Sequence, residues 1–235
     1  MMELGSFTPG SALFTVLLIA LAPFFAVMVT SFTKIVVVLS IVRNALGLQQ
    51  TPPNVVINGL ALILTVYVMY PTLQDMSAAA GMSDPVATST MPGDEPPVPA
   101  QIENTDQMLT TADRVKEPLR GFLLANTSAD DRAFFLATQR RISGPERAAA
   151  ISGTDFVIIV PAFAVRELKL AFQIGFLIFL PFLVIDLVIS NILLALGMMM
   201  LSPVTISLPF KILLFVLVDG WVQLSHGLVL SYAPV

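Results

Sequence analysis

The amino-acid sequence predicts an all-α protein of long, kinked, apolar helical hairpins with a small helical domain in water. Hydrophobic residues fill 56% of the 235 positions and charged residues only 12%, whereas soluble domains are about one quarter charged. Uncharged runs long enough to cross a bilayer lie near both ends of the chain. Most of the charges lie in the middle third, where apolar residues recur at helical spacings. These features together indicate a membrane-associated helical protein.

Residues 1–74 are predicted to form an N-terminal hydrophobic helical hairpin. The stretch between Glu3 and Lys34 contains no charged residue, and the apolar run continues beyond Lys34 to Arg43. We expect one long helix here, kinked at Pro23, because proline removes a helical hydrogen bond and clashes with the preceding turn.

The second helix of this hairpin is predicted to run from Val55 to Tyr70 and to end at Pro71. A short link joins the two helices, and its glycine and prolines exclude a continuous helix. The residues that we expect to form this first turn include Gln50, Pro52 and Pro53.

The middle of the chain, residues 75–155, is predicted to be a polar extracytoplasmic region. Residues 75–110 are rich in proline, serine, threonine and glycine, so we interpret them as a flexible loop that cannot bury enough apolar surface to fold. In residues 111–150 apolar positions recur every three or four residues, as in amphipathic helices. Basic residues border both hairpin turns, which predicts that the turns lie in the cytoplasm and this region on the opposite side. Arg166 and Lys169, which lie close to a membrane segment on that opposite side, argue against this orientation.

Residues 156–235 are predicted to form a longer C-terminal hairpin. Its first arm includes the apolar stretch Leu170–Leu196, which follows a charged cluster, and its second arm runs as one helix from about Thr205 to Ser231. Gly197 suits the left-handed end of one helix, and Pro203 suits the first position of the next. We therefore predict a tight turn that carries three adjacent methionines, Met198, Met199 and Met200.

The methionine triplet needs its own explanation, because neighbouring side chains on a helix point about 100° apart and cannot share one packed face. A hydrophobic tip in contact with lipid or core is the simplest interpretation. A Cu(I) site is disfavoured, although thioethers suit this ion, because adjacent residues of a regular helix cannot converge on one metal.

Two charged residues, Asp186 and Lys211, interrupt the apolar arms of the C-terminal hairpin at similar distances from its turn. A folded hairpin would bring them together, within one subunit or across two, and an exchange of the two residues should then preserve the pair. Three interpretations are open: a structural pair that fixes helix register, a helix–helix contact in an oligomer, and a proton or ion relay.

Several function classes are excluded or disfavoured by composition. The chain has no cysteine and one histidine, which excludes thiolate metal sites, disulfides and histidine clusters. It has no glycine-rich phosphate-binding loop and no basic patch, so a nucleotide cofactor and a nucleic-acid partner are not expected. We predict no cofactor, no metal and no catalytic residues, and hence a protein that is not an enzyme.

Two long stretches resemble one known family. The stretches "KIVVVLSIVRNALGLQQTPPN" and "PFLVIDLVISNILLALGMMMLSPVTISLPFKILLFVLVDGW" are similar to the type III secretion export-gate subunit SctR and its flagellar counterpart FliP. The resemblance is close over residues 30–72 and 154–221, and residues 75–110 depart from the pattern. Glu3, where a cleavable signal would be basic, indicates a retained anchor and favours virulence secretion over flagellar use.

The resemblance implies a pore-forming subunit that conducts unfolded exported proteins across the bacterial inner membrane. Members of the family form a helical pore ring, expected to be a homopentamer, which joins S- and T-type export-gate subunits. The larger export-gate components and the needle and rod proteins are further expected partners. The resemblance also implies that the assembled gate is raised from the bilayer toward the periplasm.

For individual residues, the resemblance implies that Met198, Met199 and Met200 form a methionine gasket that seals the closed pore. Arg166, Glu167 and Lys169 are expected to form polar contacts between subunits. The alternative function is a subunit of a small-solute or ion channel or transporter. A membrane-bound lipid enzyme is a weaker rival, because it would need clustered catalytic groups that the sequence lacks.

Overall fold

The computed structural model describes residues 9–48, 51–81, 105–198 and 200–233. Every regular element in these ranges is an α-helix, which confirms the all-α prediction. The helices are α1 (Pro9–Val29), α2 (Phe32–Ala45), α3 (Asn54–Ala79), α4 (Thr105–Ala125), α5 (Ala129–Ala148), α6 (Phe156–Ala195), α7 (Pro203–Leu217) and α8 (Gly220–Leu230).

The first apolar run breaks after Val29, whereas Pro23, where the kink was predicted, lies inside α1. The segment Pro23–Val29 and the helix α2 meet at 80°. The hydroxyls of Thr30 and Thr33 donate hydrogen bonds to carbonyls of the last turns of α1, those of Ala26 and Val27. These side chains satisfy carbonyl groups that the bend leaves without helical partners.

Helix α3 continues through Pro71 to Ala79, beyond the predicted end at the proline. Pro71 is exposed, so its ring projects away from the packed face of the helix, where a distorted turn is tolerated. The next helix that the structure describes, α4, begins at Thr105, within the stretch that the sequence assigned to a loop. Most of residues 75–110 lie outside the described ranges.

Helix α6 is one continuous helix of 40 residues, about 60 Å long, and it runs through the charged cluster that precedes Leu170. One narrow stripe of this helix is buried, and α2 packs along it. The stripe contains Ile158, Ile159, Ala162, Phe163, Glu167, Ala171, Gly175 and Phe182. At Gly175 a Cβ atom would lie 2.5 Å from Ile41 Cδ1, so glycine is what allows the two helices to approach so closely.

The predicted single helix from Thr205 to Ser231 is wrong, because α7 and α8 are separate and meet at 60°. Asp219 adopts a left-handed conformation at the break, with φ of 50°. The ring of Phe215 fills the bend, and a Cβ atom on Gly220 would clash with it. Trp221 packs edge-on against the same ring at 5.2 Å. The bend is therefore set by aromatic packing and not by proline.

Two apolar clusters hold the helices together. The larger one joins α2, α3 and α6 to α7 and α8, with Ile35, Val38, Leu39 and Val42 of α2 fully buried at its centre. The smaller one joins α4 to the first half of α6 through Leu123, Ile159 and Phe163. The charged middle region is thus packed against the apolar helices.

The outer faces of the helices remain strongly apolar. Among the described residues, α3 and α6 are each long and apolar enough to cross a membrane, and up to four spans result if each bent pair counts as one. Only 11% of the most apolar part of α6 is buried. Such a surface needs lipid or protein partners, as expected for a membrane-associated protein.

Candidate functional site

The turn between α6 and α7 is formed by backbone geometry that the local sequence specifies. Gly197 has φ of 73°, and its N–H donates to Leu194 O at 3.1 Å while Met198 N–H donates to Leu193 O at 3.0 Å. This pair of bonds is the Schellman ending of a helix, which requires a left-handed residue and so favours glycine. Pro203 begins α7, where its missing N–H costs nothing.

The methionines of this turn are exposed at the tip of the hairpin. Met198 is 40% exposed, and Met200 is fully exposed at 101% of its reference area. Met199 lies outside the described residues. An exposed, flexible and apolar side chain at a hairpin tip can contact lipid, a second protein or copies of itself.

Behind the tip, the structure places Asp186 and Lys211 in direct contact within one chain. Lys211 Nζ lies 2.6 Å from Asp186 Oδ2 and donates a second hydrogen bond to Ala45 O at 3.1 Å. The hydroxyl of Ser207 donates to the other oxygen, Asp186 Oδ1, at 2.6 Å. Lys211 is 3% exposed, so this network satisfies a charge that would otherwise be very costly to bury.

The Lys211 network therefore links three helices rather than two. Ala45 is the last residue of α2, and a cation near a helix C-terminus interacts favourably with the helix dipole. Neither Ala45 nor Ser207 was expected from the sequence. Ser207 could have been found, since it lies one helical turn before Lys211 on the same face.

The first turn, of which residues 46–48 and 51–53 are described, approaches the start of α7 at Gly47. At Gly47, whose φ is 79°, a Cβ atom would lie 3.8 Å from Val204 Cγ1 and from Leu208 Cδ1. Gln50 lies outside the described residues, and Pro53 occupies the N-cap position of α3. Arg43 closes the turn through hydrogen bonds to the Pro52 carbonyl at 3.3 Å and to the Asn54 side chain.

A second buried ionic cluster lies at the middle of the molecule. Glu167 is 1% exposed and Lys34 is 2% exposed, with 3.6 Å between Lys34 Nζ and Glu167 Oε2. The hydroxyl of Tyr232 donates a hydrogen bond to the same carboxylate. Lys34 Nζ also lies 3.4 Å from the centre of the Tyr232 ring, a cation–π contact. Tyr232 thus closes over an ion pair between α2 and α6.

The sequence singled out Glu167 but missed both of its partners. Lys34 and Tyr232 are far from it in the chain, and only tertiary packing brings the three together. A usable signal existed for Lys34, because a lone base in an apolar run needs a carboxylate partner. The sequence offered no comparable signal for Tyr232.

The other two charges of the cluster on α6 behave differently. Arg166 pairs with Asp131 of α5, with 3.4 Å between Arg166 Nη1 and Asp131 Oδ2. Lys169 is exposed and forms no ion pair within the part of the chain that the structure describes. The contacts of Arg166 and Glu167 that the structure shows are within one chain, whereas the resemblance implied contacts between subunits.

Asp131 also belongs to the start of α5. Its backbone N–H donates to Ser128 Oγ at 3.1 Å, and the Ser128 hydroxyl donates to Asp131 Oδ2 at 2.6 Å. The Ser128 hydrogen bond, followed by the contact with Arg166, lowers the pKa of Asp131 below its usual value. A carboxylate whose pKa falls on folding stabilises the fold above its unfolded pKa of about 3.9 and loses this effect as the pH drops further.

We expect Ser128→Ala to destabilise the start of α5 by about 1 kcal/mol, the usual cost of losing a hydroxyl cap. Amide hydrogen exchange in the first turn of α5 should then speed up by about fivefold. Thr138→Ala is the matched control, because Thr138 bonds only to a carbonyl within the same helix. Equal exchange in Ser128→Ala and the wild-type chain would contradict the cap.

No group of three or more histidine, cysteine, aspartate or glutamate side chains that could hold a metal occurs within the described residues. The site consists instead of an apolar tip, a turn behind it and two buried ionic clusters.

Comparison with known proteins places the chain among secretion proteins. The sequence profile of the FliP family matches residues 14–228. The Yop proteins translocation protein R of Yersinia pestis is 47% identical over 218 residues, covering 92% of each chain. The hypersensitivity response secretion protein HrcR of Ralstonia nicotianae is 44% identical over 214 residues, covering 91% of this chain and 93% of the relative. The flagellar biosynthetic protein FliP of Bacillus subtilis is 41% identical over 213 residues, covering 91% and 87%.

The family match includes both hairpins, the methionine turn and every residue of the ionic clusters except Tyr232. It extends over more than nine tenths of the chain, so it is not confined to a shared apolar segment. The chain belongs to the FliP family, whose members are structural components of secretion and flagellar export apparatus and not enzymes.

Proposed function

We propose that this protein is a pore-forming subunit of a type III secretion export gate in the bacterial inner membrane. In this proposal several copies surround one axis, and unfolded proteins pass along it. The methionines Met198, Met199 and Met200 form the gasket that seals the closed pore. The observation that carries the proposal is the exposed methionine tip of a long hairpin in a chain of this family.

The chemistry of methionine suits such a seal. Its unbranched side chain has three rotatable bonds and a polarizable sulfur, so it fills irregular gaps without a fixed partner. A ring of these side chains excludes water and ions from a narrow constriction by dewetting. The same side chains can part around a polypeptide of any sequence, because their contacts require no specific hydrogen bonds.

The proposed assembly is a homopentameric ring that joins S- and T-type export-gate subunits, the larger export-gate components and the needle and rod proteins. Its supporting observation is the apolar surface of α3, α6 and α7, which one chain cannot bury. Helix α6 is about twice the length that a bilayer core needs. This length supports a gate that extends from the membrane toward the periplasm.

Replacing Met198, Met199 and Met200 together by alanine should make the closed gate leak small ions while protein export continues. Truncation at Cβ widens the constriction and removes the thioether contacts, but leaves the backbone turn intact. Conductance of the purified complex in planar bilayers and export of a reporter protein measure the two effects. Met28→Ala is the control, because Met28 is also exposed but lies on α1.

Two results would count against this function. A triple variant that remains as impermeable as the wild-type complex would refute the gasket. A wild-type complex that conducts small ions steadily in its resting state would favour the rival function, a small-solute or ion channel.

A further inference from the structure

We infer that the first turn braces the methionine turn, so that Arg43, Asn54 and Lys211 act as positioning residues for the closed gate. This inference rests on the proposed function, since it concerns how the gasket is held. None of the three belongs to the methionine tip. The brace consists of Arg43, Ala45, Gly47, Pro52 and Asn54 on one side, and Val204, Leu208 and Lys211 of α7 on the other.

Two side chains of α7 lie beside the first turn. Val204 is only four residues beyond Met200, and a Cβ atom added at Gly47 would lie 3.8 Å from both Val204 Cγ1 and Leu208 Cδ1. The backbone of Gly47 is left-handed there, a conformation that other residues rarely adopt. The first turn therefore supports the first two turns of α7, from which the methionine tip projects.

A polar contact of Lys211 lies one turn further along α7 and ties this helix to its neighbours. Lys211 Nζ bonds both to Ala45 O, at the end of α2, and to Asp186 on α6. Lys211 is buried, so water cannot take the place of either partner. A shift of α7 along its axis would break the bond to Ala45. The hairpin that carries the gasket is thus positioned against the N-terminal hairpin.

A further set of contacts holds the two ends of the first turn together. Arg43 spans the turn, donating from Nη1 to the Pro52 carbonyl and to the Asn54 side chain on α3. A hydrogen bond from a charged donor is stronger than one between two neutral groups. Without these hydrogen bonds, the link between α2 and α3 becomes more flexible at the point where it supports α7.

The test compares Asn54→Ala with Asn54→Asp and with Asn58→Ala in the complete export complex. Alanine removes the acceptor for Arg43, aspartate keeps one, and Asn58 is an exposed residue of the same type one turn further along α3. We expect Asn54→Ala to raise the closed-state ion conductance by about tenfold, because the loss of a hydrogen bond from a charged donor shifts an equilibrium by about that factor. The other two variants should stay impermeable, with equal amounts of assembled complex and continued export.

The outcomes separate this inference from the function on which it rests. If the triple methionine variant leaks ions, and Asn54→Ala assembles but does not leak, the brace is wrong and the gasket stands. If the triple variant does not leak, the gasket itself fails. If Asn54→Ala does not assemble, Gly47→Ala takes its place in the test. Gly47→Ala keeps the Arg43 hydrogen bonds but strains the backbone of the turn. Its closed-state conductance is then interpreted in the same way. Leakage from Asn58→Ala equal to that of the test variant would also overturn the brace.

Discussion

Glu167→Gln is expected to destabilise the folded chain by about 3–5 kcal/mol, the usual cost of removing one partner of a buried ion pair. The substitution is nearly isosteric, so packing around residue 167 is kept and only the charge is lost. Lys34, which is 2% exposed, would then retain a cation with a carboxamide and an aromatic ring as its nearest partners. Lys34→Met should have a similar effect, because it leaves the carboxylate buried with the Tyr232 hydroxyl alone.

The double variant Lys34→Met/Glu167→Gln should be more stable than either single variant. Removing both charges together leaves no unpaired ion, and neutral replacements of buried pairs are often tolerated. Unfolding of the purified chain in detergent by chemical denaturant gives the free energies for a double-mutant cycle. Lys169→Met is the control for loss of a lysine, since Lys169 is exposed. Additive losses in the double variant would show that the two groups do not interact.

Tyr232→Phe separates the two contributions of the tyrosine. Phenylalanine keeps a ring beneath Lys34 and removes the hydroxyl that donates to Glu167. The expected loss is about 1–3 kcal/mol, as for a buried acceptor without its donor. The same variant tests whether the C-terminal residues are part of the folded core, which sequence patterns did not suggest.

Local rules predicted the parts of the structure that depend on neighbouring residues. Gly197 and Pro203 form the turn between α6 and α7 because their backbone preferences act within a few positions. Asp186 and Lys211 could be paired by counting residues on either side of that turn, since the rise per residue of a helix is constant. The all-α architecture follows in the same way from long apolar runs.

The positions of the helix breaks could not be predicted by the same rules. Pro71, Pro161 and Pro181 all lie inside continuous helices, whereas α7 ends where there is no proline. That break exists because the Phe215 ring occupies the space beside Gly220, a contact set by tertiary packing. The Lys34–Glu167–Tyr232 cluster was missed for the same reason, because its members come from α2, α6 and the C-terminus.

Exchanging the residues of the Asp186–Lys211 pair, as Asp186→Lys/Lys211→Asp, is expected to recover only part of the stability that either single variant loses. From the sequence alone the exchange should preserve the pair. The structure changes this expectation, because residue 211 also faces Ala45 O at 3.1 Å and the C-terminal end of the α2 dipole. An aspartate there would place a carboxylate against a carbonyl oxygen, and both groups are acceptors.

The two single variants of this pair should differ in how much stability they lose. Asp186→Leu leaves the buried Lys211 ammonium with one carbonyl and costs about 3–5 kcal/mol. Lys211→Met leaves Asp186 with the Ser207 hydroxyl, and 28% of the Asp186 side chain remains exposed, so water compensates part of the loss. The neutral double variant Asp186→Leu/Lys211→Met should therefore exceed both the exchange variant and Asp186→Leu in stability. Melting temperatures of the detergent-purified chain rank the four variants.

The ranking also decides between the interpretations of the pair. A structural pair predicts that the neutral double variant retains export, because only register matters and no charge is needed. A proton or ion relay predicts that the neutral double variant folds and assembles but does not function, since a relay cannot operate without titratable groups. An exchange variant as stable as the wild-type chain would show that the hydrogen bond to the Ala45 carbonyl contributes nothing to stability. That result would contradict the polar tie between α7 and the N-terminal hairpin.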